Sequence, residues 1–205
     1  MKRTIIAAAV VAVLCAPAAL AAKVVSPQES GIDPNSLMPL LKRGELSLIE
    51  SNSKGGLKQV TMAVLINAPS EKVYDTITDY ANFKRFMPNI ADINVGKTEG
   101  DTTEIDYEID VPIKNIKYTL RHRHTPKKSV EMSLVKGDIK TGSWRYDLFP
   151  VGEKTVMFYS LVTDVSETSW LVKQVIRSQP TMGHALNVAT GIVIVKAVKL
   201  EAERR

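Results

Sequence analysis

The feature that most limits what this chain can fold into is a long run of residues alternating apolar and polar, closed by an apolar helical stretch. Ile105, Tyr107, Ile109 and Val111 alternate with Asp106, Glu108 and Asp110, and Ile116, Tyr118 and Leu120 alternate with Lys117, Thr119 and Arg121. Val130, Met132 and Leu134 then alternate with Glu131 and Ser133, and Trp144, Tyr146 and Leu148 with Ser143, Arg145 and Asp147. A period of two puts successive side chains on opposite faces of a strand, so each run is a strand with one covered and one wet face. Gly100-Asp101, Pro126-Lys127-Lys128, Gly137-Asp138 and Gly152-Glu153 separate the runs. Turns of that chemistry make hairpins, and the whole stretch from Ile90 to Asp164 reads as about six antiparallel strands.

Two further strands precede them, Glu45 to Glu50 and Leu57 to Ile66, joined through Ser51-Asn52-Ser53-Lys54-Gly55-Gly56. Between the two groups lies APSEKVYDTITDYANFKRFMP, residues 68–88. Pro69 suits a first helical turn, Glu71 complements the helix dipole, and Val73 and Ile77 share a side. Asp79 reads as the cap of a second short helix carrying Phe83, Phe86 and Met87 on one face and stopped by Pro88.

Beyond Ser166 the period becomes helical, first near Thr168 to Ser178 and then from about Pro180 to Glu203. Met182, Leu186, Ala189, Val193, Ala197 and Leu200 make one stripe of the long helix, while Ile192, Ile194, Val195 and Val198 leave its other sides apolar too. A membrane span is the competing reading, but Lys196 and Lys199 interrupt the apolar stretch well short of the roughly 20 residues a span needs. One apolar sheet face and one apolar helix need each other. The fold class expected is therefore α+β, a curved antiparallel sheet wrapped around the C-terminal helix, with two short helices after the first main strand.

The amino terminus has a different character. Met1-Lys2-Arg3 is a cationic start, Thr4 to Leu14 is apolar, and Ala19-Leu20-Ala21 is a small-x-small cleavage signal. This is the pattern of a secretory signal peptide over residues 1–22, with cleavage after Ala21 or Ala22. Residues 23–44 form a leader with a short helix over Ser36 to Arg43, and residues 45–205 form the domain. Cys15 is the only cysteine. Its loss with the leader peptide removes disulfides, thiol nucleophiles and thiolate metal ligands, and the bulky Leu14 before it does not suit lipoprotein processing. Export to a periplasm also takes ATP, reduced nicotinamides and carrier-bound intermediates out of reach.

Removal of Lys2 and Arg3 lowers the formal net charge from +5 to +3, with no block of like charges. Nucleic-acid binding calls for a concentrated basic face and is not expected. Gly-x-Ser-x-Gly, His-Glu-x-x-His and phosphate-cradling glycine loops are absent from the sequence. No catalytic residue, cofactor or metal is assigned. His122 and His124 stand about 7 Å apart on a strand, but His184 falls about 200° around its helix from Leu186, so the three histidines do not converge.

Four stretches carry a resemblance to a known family. They are Ile66-Asn67-Ala68-Pro69 followed by Val73-Tyr74; Thr78-Asp79-Tyr80 with Phe83, Phe86 and Pro88; Gly142-Ser143-Trp144-Arg145-Tyr146; and the tyrosine-containing strand Thr155 to Asp164. In this order, with a terminal helix, the chain from Glu45 onward resembles the START-like (SRPBCC, helix-grip) superfamily, in its polyketide cyclase/dehydrase and coenzyme-Q-binding branch. The resemblance implies a deep cavity between sheet and helix for a lipid, quinone, sterol or polycyclic compound, and hence a binding or transport protein with at most transient contact with a membrane surface.

The residues expected to line that cavity lie on the apolar phase: Phe83, Phe86, Met87, Tyr107, Tyr118, Leu120, Met132, Trp144, Tyr146 and Phe158, with Leu186, Ala189 and Val193 opposite. His122 joins them because it shares a side with Tyr118 and Leu120. Tyr118 and His122 either hydrogen-bond a headgroup or, as the nearby Pro126 favours, the strand end is solvated and both histidines lie at the rim. Two alternatives stand beside the carrier. One is a cyclase or dehydratase moving protons through Tyr118, His122 and Tyr146; the other is a protein-interaction module using the short helices or an outward Tyr159 and Leu161.

Overall fold

In the computed structural model the described residues are 23–53, 56–111, 114–164, 166, 170–179 and 181–205. The signal-peptide pattern of residues 1–22, Pro180 and the expected helix start at Thr168 lie outside them. The chain runs α1 (Pro34–Leu41), β1 (Leu46–Ser51), β2 (Leu57–Ile66), α2 (Ser70–Thr78), a 3-10 turn (Tyr80–Asn82), α3 (Phe83–Phe86), then six strands, β3 (Ile90–Glu99), β4 (Thr102–Ile109), β5 (Ile116–Thr125), β6 (Ser129–Gly137), β7 (Thr141–Val151) and β8 (Lys154–Asp164), and finally α4 (Trp170–Ser178) and α5 (Thr181–Arg204). This is the expected α+β helix-grip arrangement.

The eight strands form one antiparallel sheet in the order β1-β2-β8-β7-β6-β5-β4-β3. After β2 the chain crosses to the far edge through α2 and α3, then meanders back until β8 pairs with β2. The two short helices thus bridge the concave side of the sheet. Val73 and Ile77 are fully buried there, as their spacing predicts.

β2 and β8, second and third from the β1 edge of the sheet, are buried on both faces. The concave face packs Met62, Met157, Tyr159 and Leu161 in the main core, whereas Ala63, Val156 and Phe158 pack with Leu41 of α1 in a second, convex cluster. Phe158 therefore does not face the cavity, a correction to the sequence reading. A strand apolar on both faces has no readable phase of its own. The information was nevertheless present one hairpin away: the two-residue turn at Gly152-Glu153, where Gly152 takes a φ of 59°, sets Tyr146 opposite Tyr159 and Asp147 opposite Phe158. Partners directly opposite share a face. Tyr146 inside requires Tyr159 inside, and Tyr159 and Leu161 are both buried rather than outward.

The stripe of α5 that meets the sheet is Asn187, Gly191, Val195, Val198 and Ala202. It differs from the predicted one, and Leu186 and Leu200 are exposed. An all-apolar helix offers no phase by periodicity, so specific contacts decide it. Gly191 lets the helix backbone approach Met62 and Leu161. The Asn187 amide exchanges two hydrogen bonds with the backbone of Thr163, at 2.9 and 3.1 Å. Among the described residues, no helix is long and apolar enough to cross a membrane.

Asp79 makes no capping bond to a backbone N–H. Its carboxylate instead accepts from the Asn82 side chain at 2.9 and 3.1 Å and pairs with Arg205. Arg205 also donates to Glu201 at 3.0 Å, and Glu201 pairs with Arg85 and Arg204. This cluster ties the end of α5 to the helices that bridge the sheet. Burial alone would raise the Glu201 carboxyl, but the bonds from Arg205, Arg85 and Arg204 outweigh it and bring it down to about 2, from an ordinary 4.5. A carboxyl depressed on folding contributes stability that is complete above its unfolded value and lost as pH falls through the folded one. Thermal midpoints are therefore expected to fall between about pH 4.5 and about pH 2. Glu201→Gln is expected to be less stable at neutral pH and to flatten that acid limb; an unchanged limb would remove Glu201 from the account.

Candidate functional site

Between the concave face and α5 lies a cavity of about 370 Å³. The alternation places Tyr107 and Ile109 of β4, Tyr118, Leu120 and His122 of β5, Met132 of β6, Trp144 and Tyr146 of β7, and Tyr159 of β8 on its floor. Ile77, Phe83 and residues 87–90 close one side, and Ala189, Thr190, Val193 and Ile194 of α5 the other. Among the described residues, no Asp, Glu, Lys or Arg lines it.

Eleven of the fourteen residues singled out from the sequence come together around this space: Phe83, Met87, Tyr107, Tyr118, Leu120, His122, Met132, Trp144, Tyr146, Ala189 and Val193. Three do not. Phe86 is partly buried against the core, ring to ring with Phe83. Phe158 lies on the convex side, and Leu186 points to solvent for the reasons given above. Ala189 and Val193 are exposed yet line the cavity, which marks the flank of α5 as its open side.

The floor is a row of aromatic planes. Tyr107 and Tyr118, opposite each other across β4 and β5, are stacked at 5.5 Å between centroids; Tyr118 and Trp144 follow at 6.3 Å, and Tyr146 and Tyr159 stack at 4.6 Å. Gly142 makes the Trp144 position possible, since a Cβ there would stand 2.3 Å from the indole ring. Burial pushes the phenols of Tyr107, Tyr118, Tyr146 and Tyr159 upward, so all are protonated at neutral pH.

His122 is buried rather than at a solvated rim. The turn at Pro126 lies beyond the strand end, but the bridging helices cover β5 there and bring Tyr80 over it. The Tyr80 hydroxyl is 3.1 Å from His122 Nδ1 and the Tyr107 hydroxyl 3.2 Å from His122 Nε2. Burial, reinforced by His124, holds the imidazole down to about 3, so it is neutral at physiological pH. His124 is lowered too, by burial that outweighs the pull of Asp101.

The hydroxyls of Tyr118, Tyr146 and Tyr159 have a different status. None of them bonds to another side chain or to backbone among the described residues, while no sealed polar side-chain atom is left without a partner. These hydroxyls therefore open onto the cavity that their residues line. A buried hydroxyl left without a partner costs about 1–3 kcal/mol. The floor is thus a sheet of apolar rings with hydrogen-bonding tips aimed at whatever fills it.

Sequence reasoning missed two aromatic residues of the site, Tyr80 and Tyr159, besides lining residues such as Ile77, Asn89, Thr190 and Ile194. Tyr80 stood within the Thr78-Asp79-Tyr80 motif but without a role, because its partner His122 is 42 residues away on another element. Tyr159 was legible from the hairpin register, as shown above.

Residues 58–181 match the profile of the family described as polyketide cyclase / dehydrase and lipid transport. No curated protein matches the sequence significantly. Among solved structures, a Thermus thermophilus protein superposes with a TM-score of 0.59 at 18% identity, over 70% of this chain and 96% of its own. A STAR-related lipid transfer protein from Xanthomonas axonopodis gives 0.57 at 14% identity, over 79% and 99%. The ZhuI aromatase/cyclase of a Streptomyces species gives 0.55 at 16% identity, over 72% and 94%. At these identities the likeness is one of fold.

Proposed function

Since the chain belongs to the polyketide cyclase/dehydrase and lipid transport family, within the START-like superfamily, we propose that it is an exported carrier of an uncharged hydrophobic molecule, a lipid, quinone, sterol or polycyclic compound held between sheet and α5. The observation that carries this reading is a cavity lined, among the described residues, without a single charged side chain. A buried carboxylate or ammonium would find no counter-charge there, and burying an unpaired charge costs several kcal/mol. Apolar surface supplies the affinity instead, at about 0.8 kcal/mol for each buried methylene before ordering costs.

A cyclase or dehydratase would need a base matched to neutral pH. A neutral His122 held near 3 is a poor one, and this favours holding over proton abstraction. Export rests on the cationic, apolar and small-residue pattern of residues 1–22. Fractionation of the native cells with amino-terminal sequencing checks it: a periplasmic chain beginning at Ala22 or Lys23 is expected, and a cytoplasmic chain beginning at Met1 would contradict export.

Ligand character is tested with two matched probes followed by tryptophan fluorescence, 2-acetonaphthone and the anion 2-naphthoate. The neutral ketone is expected to bind at least about tenfold more tightly, a ratio set by the cost of the unpaired charge. Equal or tighter binding of the carboxylate would overturn the uncharged cavity.

A further inference from the structure

All six tyrosines of the chain gather at this site, and two of them extend it to the surface. From the half-buried Tyr74 inward, four contacts run in line: Tyr74 Oη to His124 Nδ1 at 3.4 Å, His124 Nε2 to Tyr80 Oη at 3.5 Å, Tyr80 Oη to His122 Nδ1 at 3.1 Å, and His122 Nε2 to Tyr107 Oη at 3.2 Å. Tyr107 lines the cavity, so its hydroxyl is the inner terminus of the chain.

Each contact needs one hydrogen. Burial keeps both imidazoles neutral at physiological pH, against only the pull of Asp101 on His124. Each ring then carries one N–H and one bare nitrogen. With both hydrogens on Nε2, every donor points inward: Tyr74 to His124, His124 to Tyr80, Tyr80 to His122, and His122 to Tyr107, whose own O–H is left for the cavity. With both on Nδ1, every donor points outward, and Tyr107 gives its hydrogen to His122 and accepts from the cavity.

Mixed tautomers fail at Tyr80. Either two N–H groups meet its oxygen and its own hydrogen has no acceptor, or two bare nitrogens compete for that single hydrogen. Tyr80 and His122 are both buried, where an unmade hydrogen bond is a direct loss.

We infer that His122 and His124 share one tautomer and change it together through Tyr80, and that a ligand oxygen accepting a hydrogen bond from Tyr107 fixes both rings in the Nε2–H form. The inference rests on the carrier reading and adds to it: the cargo carries a carbonyl or comparable acceptor oxygen at the His122 end of the cavity. Tyr80 is a positioning residue in this scheme, since it acts on the cargo only through His122 and Tyr107.

Nitrogen-15 NMR of the histidine rings in the full chain tests this. In the free protein the Nε2–H fractions of His122 and His124 are expected to be equal, and in Tyr80→Phe to diverge. Addition of 2-acetonaphthone is expected to drive both rings to Nε2–H, whereas 2-ethylnaphthalene, of the same shape without the oxygen, leaves them as they were. In Tyr80→Phe the ketone is expected to move His122 alone. Opposite tautomers in the free protein, fractions that stay equal in Tyr80→Phe, or a bound ketone that moves neither ring would overturn the inference. If neither naphthalene binds, the carrier reading fails and the ligand's part in the switch fails with it, while the free-protein comparison still decides the coupling.

Discussion

Gly191→Val is expected to lower the thermal midpoint of unfolding by roughly 4–8 °C, the shift that about 2 kcal/mol makes in a domain of this size. Even a Cβ at Gly191 would stand 2.6 Å from Met62 Cγ and 3.3 Å from a Leu161 methyl. Both neighbours are fully buried, and Met62 meets the helix near the root of its side chain rather than at a free end. Overpacking a filled core costs typically about 1–3 kcal/mol. Replacing a helical glycine gains at most about 1 kcal/mol of propensity, and a β-branched residue gains less than alanine does. The clash therefore wins. Met62→Ala, itself destabilising, is expected to recover part of the Gly191→Val loss in the double variant, because the space it opens is the space the valine needs. Strict additivity would show that the close approach of α5 to β2 and β8 is not what Gly191 provides.

Ala189→Trp is expected to weaken binding of 2-acetonaphthone by at least about tenfold, through occupancy of the space that gives the ligand its buried area. It should do so with a thermal midpoint close to that of the unmodified protein. Ala189 is exposed and yet lines the cavity, so an indole there has room to leave the backbone undisturbed and apolar surface to cover when it folds inward. Leu186→Trp is the matched control, one turn earlier on the same helix and outside the cavity. Equal losses in both variants would mean that α5 contributes to binding through its general surface and not through the flank facing the floor.

The parts of the fold that rest on a single covered face were legible from the sequence. β4 to β7 alternate cleanly where their concave side carries the apolar core and their other side is polar, and Tyr107, Tyr118, Leu120, Met132, Trp144 and Tyr146 could be assigned from period two alone. Legibility failed where an element is apolar on more than one side. β8 is covered by α5 on one face and α1 on the other, so Phe158 and Tyr159 were exchanged; α5 is apolar all round, so its stripe was placed on Leu186 and Leu200 in place of Gly191 and Val195. In both cases a residue of special geometry held the answer: the Gly152 turn sets the register of β8, and Gly191 marks where the helix comes closest to the sheet.

His122 illustrates a different limit. Its side of the strand followed from alternation, but its burial depends on α2 and the turn that follows it folding over β5, a contact between distant parts of the chain with no local signature. The same contact brings Tyr80 to His122 and joins the surface to the cavity. What the sequence carried was the inventory of a ligand site, tyrosines and methionines on an apolar phase. What it lacked was the pairing that leaves three hydroxyls open to the cavity and ties two others to one histidine.

The proposed function requires this cavity to hold an uncharged hydrophobic molecule. Native mass spectrometry of the protein isolated from its own cell envelope tests it most directly, with organic extraction of the same sample. One neutral, extractable compound per chain is the expected result, retained in Leu186→Trp and lost in Ala189→Trp. Recovery of the bare polypeptide from its native envelope, or of an anionic compound held in the cavity, would contradict it.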